Sequence, residues 1–343
     1  MKALRDAHPR ARIEILGYPH LAAIADKRFY ADAVRSIEYA ALSRFFARDA
    51  ELPPDLRDYF GGFDLLLSYL YDPDQIFENN LRRCGAQKIL RGPAKILPGM
   101  PAAWQLAQPL QELGINVSDL SAKIFPSNED REFARRFLEN CQSPILALHP
   151  GSGSEKKNWP IENWIELVRT VLNAKSASRN GGFSPSRRLS GARGQTAETN
   201  EGRLGSSPSL FQSILLISGE ADENEMARLR TLFEHEPQVR FAHALPLPQL
   251  AAVLEQSTFI GHDSGISHLA AAAGARCLIL FGPTDSKVWA PQNKDVRVLL
   301  APNGDLTQLD VATVCNAIDD WERTNERGPS PGASRPPLPQ GED

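Results

Sequence analysis

The chain contains no apolar run approaching the roughly 18 to 20 residues that cross a bilayer as a helix. It also lacks a basic excess. Lys and Arg number 38 against 42 Asp and Glu, a formal charge of -4, which argues against a general nucleic-acid binder. Cysteine is scarce and unpatterned. Cys84, Cys141, Cys277 and Cys315 show no CxxC spacing and fit free thiols in a reducing cytoplasm better than disulfides or a zinc site. The start, MKALRDAHPRARIEIL, has no apolar core flanked by a cleavage site, so no secretory signal is expected. No GxGxxG opens either half, which leaves a dinucleotide-dependent dehydrogenase unsupported. What remains is 343 residues, 42% hydrophobic and 23% charged, enough for two soluble domains with substantial cores.

Both halves alternate strand and helix signals. In the first, RIEILG (12–17) alternates and ends on Gly17, and GFDLLLSYL (62–70) is a nearly continuous apolar run, as for a strand buried on both faces. Asp72, Pro73 and Gln75 mark a helix start that Gly85 closes. AQKILRG follows as a strand, and helices are predicted over 102–113 and 128–140. Gln142-Ser143-Pro144 breaks the pattern and divides the chain into domains 1–142 and 143–325. In the second, strands are predicted at 145–149, 213–218, 258–262 and 276–281, with helices at 160–172, 222–234, 248–256 and 265–273. Two doubly wound α/β domains facing one cleft are expected. Residues 174–210, rich in Ser, Gly and Arg, read as a disordered insertion, and 326–343 as a loose tail. The insertion's arginines are a solvated loop or a contact for anionic lipid headgroups.

Three segments stand where α/β domains hold ligands, just past the carboxyl ends of strands. In LALHPGSGSEKKNWP (146–160), Gly151 and Gly153, flanking Ser152, let backbone amides approach an anion, and Lys156 and Lys157 add charge before a helix. A glycine-rich loop with a surface lysine is equally a plain connection. In LLISGEADENEMARL (215–229), Glu223 lies in the first turn of a helix, either accepting ribose hydroxyls or complementing the helix dipole. In GHDSGISHLAAAAG (261–274), a helix begins near Ser264 with its free amides towards the cleft. Asp263 either caps that helix or holds sugar hydroxyls. His268 lies one turn on, packed or functional. Ala270 to Ala273 permit close packing on a sheet, and Thr284 in FGPTD (281–285) offers a hydroxyl at the same edge.

Taken in order, HPGSGSEKKNWP, SGEADE and GHDSGISHLAAAAGARCLILFGPTD resemble glycosyltransferase family 9, the heptosyltransferase family of lipopolysaccharide core assembly. The resemblance covers roughly residues 143–320 apart from the insertion, and the first third shares only its alternation and its KALRDAHPRARIEIL start. It implies the glycosyltransferase-B fold, two Rossmann-like domains with the nucleotide sugar held mainly by the second. By motif match Lys157 would meet the donor diphosphate and Glu223 the ribose. Asp263, Ser264, Gly265 and His268 would line diphosphate and sugar, with Gly151, Ser152 and Thr284 beside them. The implied donor is an ADP-activated heptose serving as co-substrate, with no separate cofactor and no metal. The implied reaction is inverting transfer to a lipid A-core or other glycolipid acceptor, in the cytoplasm and peripherally at the inner membrane. In the family a strand and a Gly-Asp loop stand just ahead of the helix that here starts at Met1, and that Asp is the expected base. A doubly wound domain opening on a helix likewise wants its central first strand, so a truncated or mis-started chain is expected. Asp6, inside the helix among Arg5, Ala7 and His8, is not a substitute, and the catalytic base stays unassigned. A nucleotide-sugar-binding chain without transfer, or a UDP-sugar enzyme of the same fold, are the alternatives.

Overall fold

The computed structural model describes residues 1–180, 211–219 and 223–326. In the first unit, α1 (Lys2–Ala7), β1 (Glu14–Gly17), α2 (Pro19–Ala22) and β2 (Ala33–Ser36) come first, β1 and β2 pairing in parallel. Next come α3 (Pro54–Gly61), β3 (Leu66–Ser68), α4 (Ile76–Arg83) and β4 (Ile89–Arg91), with β3 and β4 a second parallel pair. These two-stranded sheets remain separate.

Three local expectations change here. The apolar run 62–70 forms only a short strand, and its residues are half-buried, not covered on both faces. β3 pairs only with β4, in a two-stranded sheet too small to present broad faces for other layers to cover. The helix expected at Pro73 begins at Ile76, because Gln75 sits at φ 57 and turns the chain. Asp72 still caps it, its carboxylate accepting the Phe77 and Glu78 amides at 3.2 and 2.9 Å. The helix expected over 102–113 splits into α5 (Ala102–Ala107) and a 3-10 turn, Gln108–Leu113, in which Pro109 cannot donate an amide.

α6 (Asn128–Phe137) opens with a reciprocal capping box between Ser127 and Asp130. It lies before the Ser143-Pro144 break, yet Ala134 and Leu138 pack into the core of the second unit. Arg28 of the first unit grips Asp130 through three hydrogen bonds of 2.8–3.0 Å.

The second unit carries β5 (Ile145–His149), α7 (Ile161–Asn180), β6 (Ser213–Ser218), α8 (Glu223–Phe233), β7 (Val239–His243) and α9 (Leu247–Leu254). β8 (Ser257–His262), α10 (Gly265–Ala273), β9 (Arg276–Phe281), α11 (Ser286–Trp289), β10 (Val296–Leu300) and α12 (Val311–Glu326) follow. Its six strands are all parallel in the order β10-β9-β8-β5-β6-β7. The period of two sorts their side chains onto two faces. Leu146, Leu148, Ile214, Leu216, Ile260, Leu278 and Leu280 meet Trp164, Leu167, Val168, Val314 and Ile318 of α7 and α12. Ile145, Ala147, Leu215, Ile217, Phe259, Cys277 and Ile279 meet α6, α9 and the alanines of α10 on the other. Gly274, at φ 91, ends α10 in the left-handed turn that favours glycine.

β7, β10, α11 and α12, and in the first unit α2, β2 and α3, had no counterpart in the predicted elements. α7 continues to Asn180, into the segment read as disorder, because Ala, Lys and Arg support a helix and the first glycine comes only at 181. The remainder of that expectation, 181–210, lies outside the described residues. So does the expected tail beyond Glu326, where α12 ends. Among the described residues no helix is long and apolar enough to cross a membrane.

Candidate functional site

The sheet order creates a switch point. From β5 the chain moves to β6 and β7 on one side, then returns to β8 and β9 on the other. β5 and β8 are therefore neighbours, with His149 opposite Gly261. The loops leaving their carboxyl ends share one crevice, the usual ligand position in such sheets. That crevice opens into a groove of about 1530 Å³ between the units. Ile15, Leu67, Tyr69 and Leu106 wall it on one side; Ser152, Gly153, Ser264, Gly265 and His268 wall it on the other.

The loop after β5 and the loop after β8 are joined by an ion pair. Lys157 Nζ donates to Asp263 Oδ2 at 2.8 Å, bringing together residues 106 positions apart. The Asp263 side chain is only 9% exposed and the Lys157 side chain 32%, so the carboxylate depends on this ammonium more than the ammonium depends on it. Asp263 does not cap α10. Ser264 is the N-cap, in an extended conformation with its hydroxyl accepting the Ser267 amide at 3.4 Å. The remaining first-turn amides of α10 have no intrahelical partner and form a positive end beside the groove.

Ser152 is held inside its loop, its hydroxyl 2.6 Å from Asn158 Oδ1 and 2.9 Å from the Ser154 carbonyl. Gly151 is buried behind the groove wall, whereas Gly153 and Gly265 border open space. His268 lines the groove and hydrogen-bonds the Trp289 backbone. Crowding by the groove walls drives its imidazole below the ordinary value; Asp263 and the Trp289 bond oppose that shift, and Lys157 adds to it. Its ring surface is nevertheless open to the groove.

Glu223 is the first residue of α8 and is exposed, away from the groove wall. Thr284 follows β9, and its hydroxyl is buried without a hydrogen-bond partner among the described residues. Asp285, one residue on, caps α11 by accepting the Lys287 amide at 2.9 Å. The ion pair and three of the groove residues therefore come together around one helix end. Lys157 and Asp263 themselves, like Gly151, Glu223 and Thr284, are not among the residues that line the groove.

Part of the rim comes from residues without a role in the three motifs. Ser218, Gly219, Ala244 and Leu245 also line the groove, with Ser218 Oγ 2.9 Å from His243 Nδ1. Ala244 lies at φ 48 and donates its amide to the Ser218 carbonyl at 2.9 Å. The available signal was VRFAH, a short alternating stretch closed by Pro246. Also without a role in the motifs was His262, the last residue of β8, whose Nε2 accepts the Trp159 amide at 2.8 Å. Two carboxylates from the first unit line the groove. Asp6 is paired with Lys2, and Asp119 is pulled down to about 2 by hydrogen bonds from Ser121 and Lys123. Among the described residues no group of three His, Cys, Asp or Glu stands close enough to hold a metal ion.

Comparison with known proteins bears on this site. Residues 210–316 match the sequence profile of glycosyltransferase family 9 (heptosyltransferase). Lipopolysaccharide heptosyltransferase 1 of Salmonella typhimurium LT2 is 27% identical over 198 residues, 56% of this chain and 50% of that protein. The protein of the same name from Escherichia coli O18:K1:H7 is 26% identical over 196 residues, 56% of this chain and 48% of its own. The matched region thus spans about half the length of these relatives. The solved family 9 glycosyltransferase of Veillonella parvula has a TM-score of 0.65 at 15% identity, covering 94% of this chain and 91% of its own. E. coli ADP-heptose lps heptosyltransferase II has a TM-score of 0.62 at 13% identity, over 95% and 93% of the two chains. E. coli heptosyltransferase WaaC, solved with ADP, has a TM-score of 0.53 at 19% identity, over 93% of each. At such identities the likeness is one of fold, the glycosyltransferase-B arrangement of two α/β units about a cleft.

Proposed function

We propose that the chain, whose residues 210–316 match the glycosyltransferase family 9 profile, is a member of that family and moves a heptose or related sugar from an ADP-sugar to a lipopolysaccharide-core acceptor. In this reading the second unit binds the nucleotide sugar, and the apolar wall of the first unit receives the glycolipid at the cytoplasmic face of the inner membrane. The transfer is a direct, inverting displacement that uses no metal. Charge builds on the diphosphate as it leaves, and Lys157 with the free amides of α10 stabilises it. Lys157 exchanges Asp263 for phosphate, which frees the Asp263 carboxylate for sugar hydroxyls. Ser264, Gly265 and His268 border the sugar and diphosphate. Gly151 and Ser152 shape the phosphate loop, Glu223 accepts ribose hydroxyls and Thr284 offers its unpartnered hydroxyl.

One observation carries this reading: the Lys157–Asp263 pair bridges the two switch-point loops beside the amino end of α10. A second observation favours nucleotide-sugar binding without transfer. Asp6 is engaged by Lys2 and Asp119 is held near 2, whereas a general base works best with a pKa near the operating pH. Calorimetric titration separates these outcomes. ADP and ADP-heptose should bind, UDP-sugars should not compete, and Lys157→Ala should weaken ADP about tenfold or more. Absence of binding to both overturns the proposal, and preference for a UDP-sugar overturns the choice of donor. Binding with no product from a lipid A-core acceptor supports the second reading.

A further inference from the structure

His262 stands inside the GHDSG motif without an assigned role, and it is fully buried at the end of β8, next in sequence to Asp263. Its Nε2 accepts the backbone N–H of Trp159, two residues past Lys157, at 2.8 Å. Accepting there requires a lone pair on Nε2, so the neutral ring carries its proton on Nδ1. The imidazole is fixed edge-on against Trp164, with centroids 5.3 Å apart at 83°. Trp159 is held from its other side, its indole N–H donating to the Leu309 carbonyl at 2.7 Å. The two consecutive residues His262 and Asp263 thus grip one loop at two points, the backbone of Trp159 and the ammonium of Lys157.

These grips differ in kind. The Asp263 grip opens whenever Lys157 turns to an anion, whereas the His262 grip lies in the core and does not depend on the ligand. We propose that His262 is a positioning residue. It clamps the carboxyl end of the 150–158 loop, so that Lys157 presents its ammonium at the crevice even after leaving Asp263. This role rests on the reading that Lys157 meets the donor diphosphate.

The test is a double-mutant cycle read by ADP titration. His262→Leu, which removes the acceptor, should weaken ADP about five- to tenfold. His262→Gln, whose side-chain carbonyl can accept the same N–H, should stay within about twofold. In a Lys157→Ala background His262→Leu should add no more than about twofold. Equal weakening in both backgrounds overturns the proposal, as does an unchanged affinity in His262→Leu. Failure of the wild-type chain to bind ADP instead overturns the diphosphate reading itself. Should His262→Leu not fold, the ring nitrogens of the wild-type protein decide. Nitrogen-15 spectra should report protonated Nδ1 and bare Nε2, and the reverse tautomer overturns the clamp.

Discussion

Replacing Asp263 by Asn should make the protein bind ADP more tightly, although a polar contact is lost. Lys157 Nζ stands 2.8 Å from Asp263 Oδ2. A phosphate oxygen bonded to the far side of that ammonium, at a charge-assisted length of about 2.8 Å, would lie roughly 5–6 Å from the carboxylate. Two unit charges at that distance repel by about 3 kcal/mol at an effective dielectric of 20. The groove is open on one side, and water reduces this to about 1.5 kcal/mol, close to tenfold in affinity. The freed ammonium is one-third exposed and hydrated, so the folded protein should lose under about 1 kcal/mol. Titration with ADP should therefore show a gain of about tenfold that fades as salt is raised. The same variant should bind ADP-heptose less favourably relative to ADP, because Asn presents one acceptor where the carboxylate offers two. An ADP affinity within about twofold of wild type, or a loss, would refute the idea that the Asp263 carboxylate opposes a diphosphate at Lys157.

Two further outcomes concern the frame around the site. Arg28→Ala leaves the nearly buried Asp130 carboxylate without its guanidinium, and urea unfolding should show a loss of about 3 kcal/mol; a change below about 1 kcal/mol would mean that the clamp between the units carries little. Burial opposes the Asp130 charge, but the Ser127 amide and Arg28 outweigh it and hold the carboxyl below 3.8. Its contribution is thus present above that value and lost as pH falls through the folded pKa. His268 has the opposite sign: its folded pKa lies below 6.5, so the unfolded chain takes up the proton first. Its contribution is whole above pH 6.5 and diminishes as pH falls below it, so His268→Asn should flatten the melting temperature in that window. An unchanged slope would show that crowding in the groove does not reach the ring.

Legibility in the sequence followed burial. β5, β6, β8 and β9 are covered on both faces, so their runs are continuously apolar and were readable. β7 and β10 are the two edges of the sheet, each paired once and only half-covered. Their stretches VRFAH and VRVLL carry arginines and dilute the signal. The short β3 misled in the other direction, since its apolar run announces a coverage that a two-stranded sheet does not supply.

Within the site, local chemistry and tertiary chemistry divide cleanly. The chain by itself determined the α10 start at Ser264, the glycine that ends it, the alanines that press it onto the sheet and the loop that carries Lys157. Each depends on neighbours within a few residues and on backbone rules that act at short range. Only the folded sheet decided that Lys157 meets Asp263 and that Trp159 leans on His262, across more than a hundred residues. The strand order sets β5 beside β8, and no spacing along the chain records which strands become neighbours.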